Sequence, residues 1–300
     1  MIDKYGISYY NKALNIPAGK SGDVEVIHTT VKAGKSLPTA SLRTVVMGGH
    51  TGKPVQYGED TVFHKLEEEK YGTWMTDLPI EQKQADDLLY GKIHGKVLIG
   101  GLGLGYATTL VAHHQDVTQV TVVEKSPDVI KLVWEHLDLP THIECTVIED
   151  CLMNYLDNLN LDKSETYFDS AFYDIWQSDG ETVFHDTVVP LRMASFGLVE
   201  GPIYCWNEDV MRGQLTTGLQ CRLLMLTTPD FVVNQPVPWE TFLTPLPEDD
   251  PGADWINWSV PFFMAVKEGR IKGTNEEIES YCKMYGKPEE KGLIRKLLRA

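Results

Sequence analysis

The sequence predicts an α/β protein: an open, mainly parallel sheet with helices on both faces, plus a small N-terminal β-rich cap and an α-helical C-terminal extension. Three observations lead there. Val97-Leu98-Ile99 is an uncharged apolar run that passes into Gly100-Gly101-Leu102-Gly103-Leu104-Gly105, which reads as a buried strand closed by a tight turn. Ala107 to His114 continues as a helix, and Gln119-Val120-Thr121-Val122-Val123 forms a second β-branched run that ends in Glu124. Two later runs, Ile143 to Ile148 and Phe168 to Tyr173, also end in acids, Glu149-Asp150 and Asp174.

Strand, glycine turn, helix, strand and acid in that order form a nucleotide-binding unit. The first N–H groups of the helix face whatever lies over the glycines, and an acid at the tip of the second strand stands where a ribose hydroxyl is received. Glycines alone also close ordinary turns, so it is this context that carries the expectation of an adenosine-type cofactor.

The 300 residues suffice for one large α/β domain with additions or for two modest domains. Lys+Arg of 27 against Asp+Glu of 43 gives a net charge of −16, a field that repels phosphate backbones. Nucleic acid is therefore disfavoured, and a small neutral or cationic acceptor suits the field; a homo-oligomer is compatible with it. The five cysteines are scattered and without Cys-x-x-Cys spacing, which suggests neither a disulfide framework nor a metal site and fits a reducing cytoplasm. The first residues have no signal-peptide core and no apolar run approaches spanning length, so the expectation is a cytoplasmic protein without a membrane segment.

Along the chain, residues 1–76 read as the cap. Val24 to Val31 and Leu42 to Met47 are short β-like pieces, and Thr61 to Leu66 pairs with Gly72 to Asp77 in a hairpin around the acidic trio Glu67-Glu68-Glu69, read as a solvated turn. Residues 77–225 form the nucleotide-binding domain. A helix opens at Leu78 with Asp77 as its N-cap and Pro79 in its first turn, and its Glu81 and Gln82 are candidates to touch the cofactor. Ser126 caps the next helix with Pro127 at its first position. Glu149 or Asp150 is placed to accept from an adenine amino group, and Asp174, at the same edge of the sheet, is the catalytic candidate with Trp176 as a flat wall.

Residues 185–196 read as a helix that Pro190 kinks or starts and Gly197 ends. Ile203 lies in a fifth strand, and a helix follows from about Asn207. Residues 226–300 form a connection dense in proline and tryptophan, with a lid as its candidate role, and a helical tail.

Val97 to Gly105, Val122-Val123-Glu124, Glu149-Asp150 and Phe168 to Asp174 resemble the successive strand-end motifs of class I S-adenosylmethionine-dependent methyltransferases. The apolar Ile99 and the hairpin Tyr71 to Asp77 before the first strand resemble the spermidine synthase-like branch of that superfamily. The resemblance implies a Rossmann-like domain in which Gly101, Gly103 and Gly105 approach the methionine moiety, Glu124 binds ribose, Asp150 binds adenine and Asp174 lies beside the transferred group. Aminopropyltransferases carry an acid inside the glycine turn, where this chain has Gly103, and a Ser-Asp-Pro-like run where it has Ile175-Trp176-Gln177-Ser178.

The expected activity is transfer of a methyl group from S-adenosylmethionine to a small acceptor. Aminopropyl transfer and a non-catalytic nucleotide-binding or interaction module stay open beside it. A nicotinamide dehydrogenase ranks lower, because Tyr106 stands where the dinucleotide pattern has its third glycine.

Overall fold

The structure is a computed structural model that describes residues 14–39, 54–161, 167–177, 183, 187–208 and 210–211. The chain divides into two units, Met1–Gln177 with Ala194–Trp206, and Ser178–Met193 with Asn207–Ala300. The expected strand at Leu42 to Met47, the proline-rich connection and the helical tail lie outside the described residues.

The first unit begins with an antiparallel sheet in the order β1-β2-β5-β6, formed by Gly19–Ser21 (β1), Val24–Val31 (β2), Thr61–Glu68 (β5) and Gly72–Thr76 (β6). Ser36–Leu37 (β3) and Val55–Gln56 (β4) pair separately. The alternation of strand side chains sends Val24 and Val26 inward and leaves Glu25 exposed. The hairpin expected around Glu67-Glu68-Glu69 is present, but Glu67 and Glu68 belong to β5 rather than to a solvated turn, so the strand outlasts its apolar residues. The β5–β6 register is regular from Lys65 opposite Thr76 to Leu66 opposite Met75, then shifts so that Glu67 faces Thr73.

Asp77 does not cap the following helix, Pro79–Leu89 (α1). The cap position belongs to Leu78, with no side-chain bond, and Pro79 opens the helix as expected. Asp77 turns inward instead. Its Oδ1 accepts the His64 backbone N–H at 2.6 Å, and its Oδ2 lies 2.8 Å from His64 Nδ1. Both residues are buried, so satisfying these donors outweighs a solvent-facing cap.

Five parallel strands follow: Gly95–Gly100 (β7), Val117–Glu124 (β8), Glu144–Glu149 (β9), Ser170–Tyr173 (β10) and Ile203–Cys205 (β11). Their order is β11-β10-β7-β8-β9, so the chain moves one way from β7 to β8 and β9 and then returns to β7's other side with β10. This is the strand order of a Rossmann-like sheet, whose ligand crevice opens at the carboxyl ends where the order reverses. Val97, Leu98, Ile99, Val120 and Val122 are fully buried, as parallel strands covered on both faces must be, which is why they read as unbroken apolar runs.

Tyr106–Ala112 (α2) follows the glycine turn and Pro127–Val133 (α3) follows β8. Ser126 caps α3 as expected, its hydroxyl accepting the Val129 N–H. Leu152–Leu161 (α4) follows β9, and Val189–Ala194 (α5) starts one residue before Pro190. Gly197 comes after it at a positive φ. Thr187 and Val188 just before α5 are π-helical, so Pro190 stands where the winding of the helix changes. In the second unit Arg192 forms an ion pair with Glu208. No helix among the described residues is long and apolar enough to cross a membrane.

Candidate functional site

A cavity of about 260 Å³ opens in the first unit at the carboxyl ends of β7, β8 and β10. Gly101 and Gly103 of the turn after β7, Glu124 at the tip of β8, and Asp174 and Trp176 after β10 all line it. Residues remote in sequence meet here because three parallel strands end side by side.

The glycines are required by close approach. Gly101 has φ +92°, and a Cβ there would collide with the backbone carbonyl oxygen of Asp174. Gly103 has φ +52°, and a Cβ there would collide with the sulfur of Met75, which also lines the cavity. Gly105 does not line the cavity; its Cα packs against Leu137 at the start of α2. Two of the three expected glycines therefore form the cradle, and the third serves helix packing.

Glu124 is buried, and its two oxygens hold both flanks of the site. Oε2 accepts the Leu102 N–H at 2.8 Å and Oε1 accepts the Ser126 N–H at 2.9 Å. Each oxygen of an ionised carboxylate keeps a second lone pair, so the group can still accept from a ligand hydroxyl. Glu124 faces Glu149 across the β8–β9 pair, but Glu149 is exposed and does not line the cavity. Asp150 binds the following Cys151 N–H through Oδ1 at 2.7 Å and is likewise outside the lining, whereas Cys151 and Leu152 are in it. Gln82 is a buried residue of α1, with its amide donating to the Asp77 carbonyl at 2.5 Å, and takes no part in the cavity wall.

Asp174 opens onto the cavity and is half-buried. Burial, and after it the nearby Glu81 carboxylate, raises its carboxyl to about 7. Glu81 is itself raised to about 7 by burial, against the pull of two hydrogen bonds from Thr76, the N–H at 2.8 Å and the hydroxyl at 2.6 Å. Asp174 thus brings a carboxyl near neutrality to the cavity wall, where a group that takes a proton at physiological pH is of use, while Glu81 lies outside the lining. The indole Nε1 of Trp176 is buried without a hydrogen-bond partner among the described residues.

Glu68, Trp74, Met75 and Lys125 are among the cavity residues absent from the sequence-based candidates. Glu68 was legible in principle, since it lies two residues from the core Leu66 on the same strand face. Lys125 directly follows Glu124, and its ammonium stands 5.6 Å from the centre of the Trp74 ring.

Comparison with known proteins returns solved structures that align in part. A spermidine synthase in complex with the transition-state analogue AdoDATO aligns over 50% of this chain and 56% of its own, at 13% identity and a TM-score of 0.32. Spermidine synthase from Thermotoga maritima aligns over 46% of this chain and 49% of its own, at 14% identity and a TM-score of 0.27. The chain spans about half the length of each. No protein-family model matches it, and no curated protein matches it significantly.

Proposed function

We propose that the chain is an S-adenosylmethionine-dependent methyltransferase-like enzyme that acts on a small acceptor. The observation that carries this reading is the meeting, in one cavity, of the glycine cradle, the β8-tip acid Glu124 and the near-neutral acid Asp174.

The residues fit such a cofactor. Gly101 and Gly103 present bare backbone to the cavity, Glu124 retains acceptor capacity for a ribose, and the Trp176 N–H has no partner among the described residues. When bound, S-adenosylmethionine supplies a methyl group made electrophilic by its sulfonium. The chain then has to hold a nucleophile in line and remove its proton. Asp174 is the residue for that step: as a carboxylate it accepts the proton of an amine or hydroxyl, and burial makes it basic enough to do so near pH 7. Trp176 and Ile175 line the same cavity beside it.

The test is a thermal-shift titration with S-adenosylmethionine, its decarboxylated form, S-adenosylhomocysteine and NAD in parallel, since a ligand that binds only the native state raises its melting temperature. Stabilisation by S-adenosylmethionine and S-adenosylhomocysteine is the expected result. Preference for the decarboxylated form would replace methyl with aminopropyl transfer, and no response to any of the four would overturn the reading.

A further inference from the structure

Trp74 and Met75 are consecutive residues of β6, and in a regular strand their side chains would point to opposite faces. Both line the cavity. The register explains how: Leu66 pairs with Met75 and Glu67 with Thr73, which leaves Trp74 as an extra residue with no partner on β5. This is a β-bulge, and bulges re-aim side chains next to functional sites.

The two side chains are held by different sets of contacts. The Trp74 indole N–H donates to Glu68 Oε2 at 2.7 Å, and Tyr71 packs edge-on against its ring at 6.1 Å. Lys125 lies over the ring, which places the indole beside the strand tip that carries Glu124. Met75 lies over the glycine turn, where its sulfur accepts the Leu104 N–H at 3.2 Å and fills the space that Gly103 leaves open.

We propose that the bulged pair Trp74–Met75 is the element that selects the ligand, with Trp74 walling the nucleoside end and Met75 touching the 5′-sulfur end of an adenosine ligand. The inference rests on the adenosine-cofactor reading above. The antiparallel sheet, rather than the glycine turn and strand tips alone, then sets ligand choice. An indole held by Glu68 offers a rigid flat surface with little rotamer freedom left to lose. A thioether is apolar, polarisable and uncharged, so it contacts either a neutral sulfur or a sulfonium without competing for its charge. It is also a weak acceptor, so a ligand oxygen can take over the Leu104 N–H at small cost.

Isothermal titration calorimetry of the full chain with adenosine, S-adenosylhomocysteine and S-adenosylmethionine tests this. Trp74→Ala is expected to weaken all three ligands at least about tenfold. Met75→Leu keeps the volume of the side chain and removes the sulfur; it is expected to leave adenosine within about twofold and to weaken the two sulfur-bearing ligands at least about threefold. Trp74→Phe retains a ring without the bond to Glu68, is expected to fall between wild type and Trp74→Ala, and decides the point should the alanine variant not fold. Ligand-induced quenching of tryptophan emission should shrink in Trp74→Phe.

Wild-type binding with unchanged affinities in the folded variants would overturn the role of the bulge alone. Failure of the wild type to bind any of the three ligands would overturn the adenosine reading and this inference with it.

Discussion

The backbone carbonyl of Asp174 occupies the space where a side chain on Gly101 would begin. The turn that follows β7 and the acid that follows β10 are therefore built against each other, with the Asp174 N–H also donating to the Gly100 carbonyl at 2.9 Å. The cradle and the candidate base form one rigid unit at the point where the strand order reverses.

Gly101→Ala should accordingly damage both stability and binding. The substitution forces a side chain into a positive-φ backbone and against a carbonyl, a strain on the order of 1–3 kcal/mol. Urea unfolding should show a loss of at least that size, and the thermal shift from S-adenosylmethionine should vanish. An alanine variant as stable as wild type would show that the turn relaxes freely.

Asp174→Asn should abolish methyl transfer while cofactor affinity stays largely intact. Stability offers a separate check. Folded Asp174 keeps its proton up to about 7, whereas the unfolded chain releases it near the ordinary value of 3.8. Between those values the folded state binds more protons, so this group's contribution to stability falls as pH rises and is lowest above about pH 7. The asparagine variant should therefore melt above wild type at about pH 8, and the gap should close at about pH 3.

Transfer in the wild type should rise with pH through about 7, as Asp174 ionises. Glu81→Gln removes a charge that raises Asp174, so the midpoint of the pH–rate profile should move to lower pH. An unmoved midpoint would separate the two carboxyl groups functionally.

Glu124→Ala should weaken S-adenosylmethionine binding by about 1–3 kcal/mol, the usual penalty for removing one partner of a buried charged hydrogen bond. It should also destabilise the ligand-free protein, because the Leu102 and Ser126 N–H groups lose their acceptor. An unaltered dissociation constant together with a lowered melting temperature would make Glu124 purely a structural tie.

His64→Phe tests the buried contact between the antiparallel sheet and the start of α1. The phenyl ring cannot replace the Nδ1 contact to Asp77, so urea unfolding should report a loss of about 1–3 kcal/mol with ligand affinity unchanged. No measurable loss would mean that the two backbone N–H groups on Asp77, from His64 and Leu14, suffice to hold its carboxylate.

The parallel strands, their helices and the acids at their tips were legible in the order of residues, because both kinds of signal are local. Unbroken apolar runs such as Val97-Leu98-Ile99 specify doubly covered strands, and glycines or a Ser-Pro pair specify the turns between. The sequence also singled out Gly101, Gly103, Glu124, Asp174 and Trp176, which the fold brings to one cavity. The rest was settled by contacts across the fold. Asp77 gave up a helix cap for buried donors on β5, and Gln82, Glu149 and Asp150 were turned to backbone partners or to solvent. Trp74 and Met75 entered the site through a one-residue register shift between two strands. Such choices depend on which donors and surfaces lie across the fold, and period and spacing along a single chain carry no record of them.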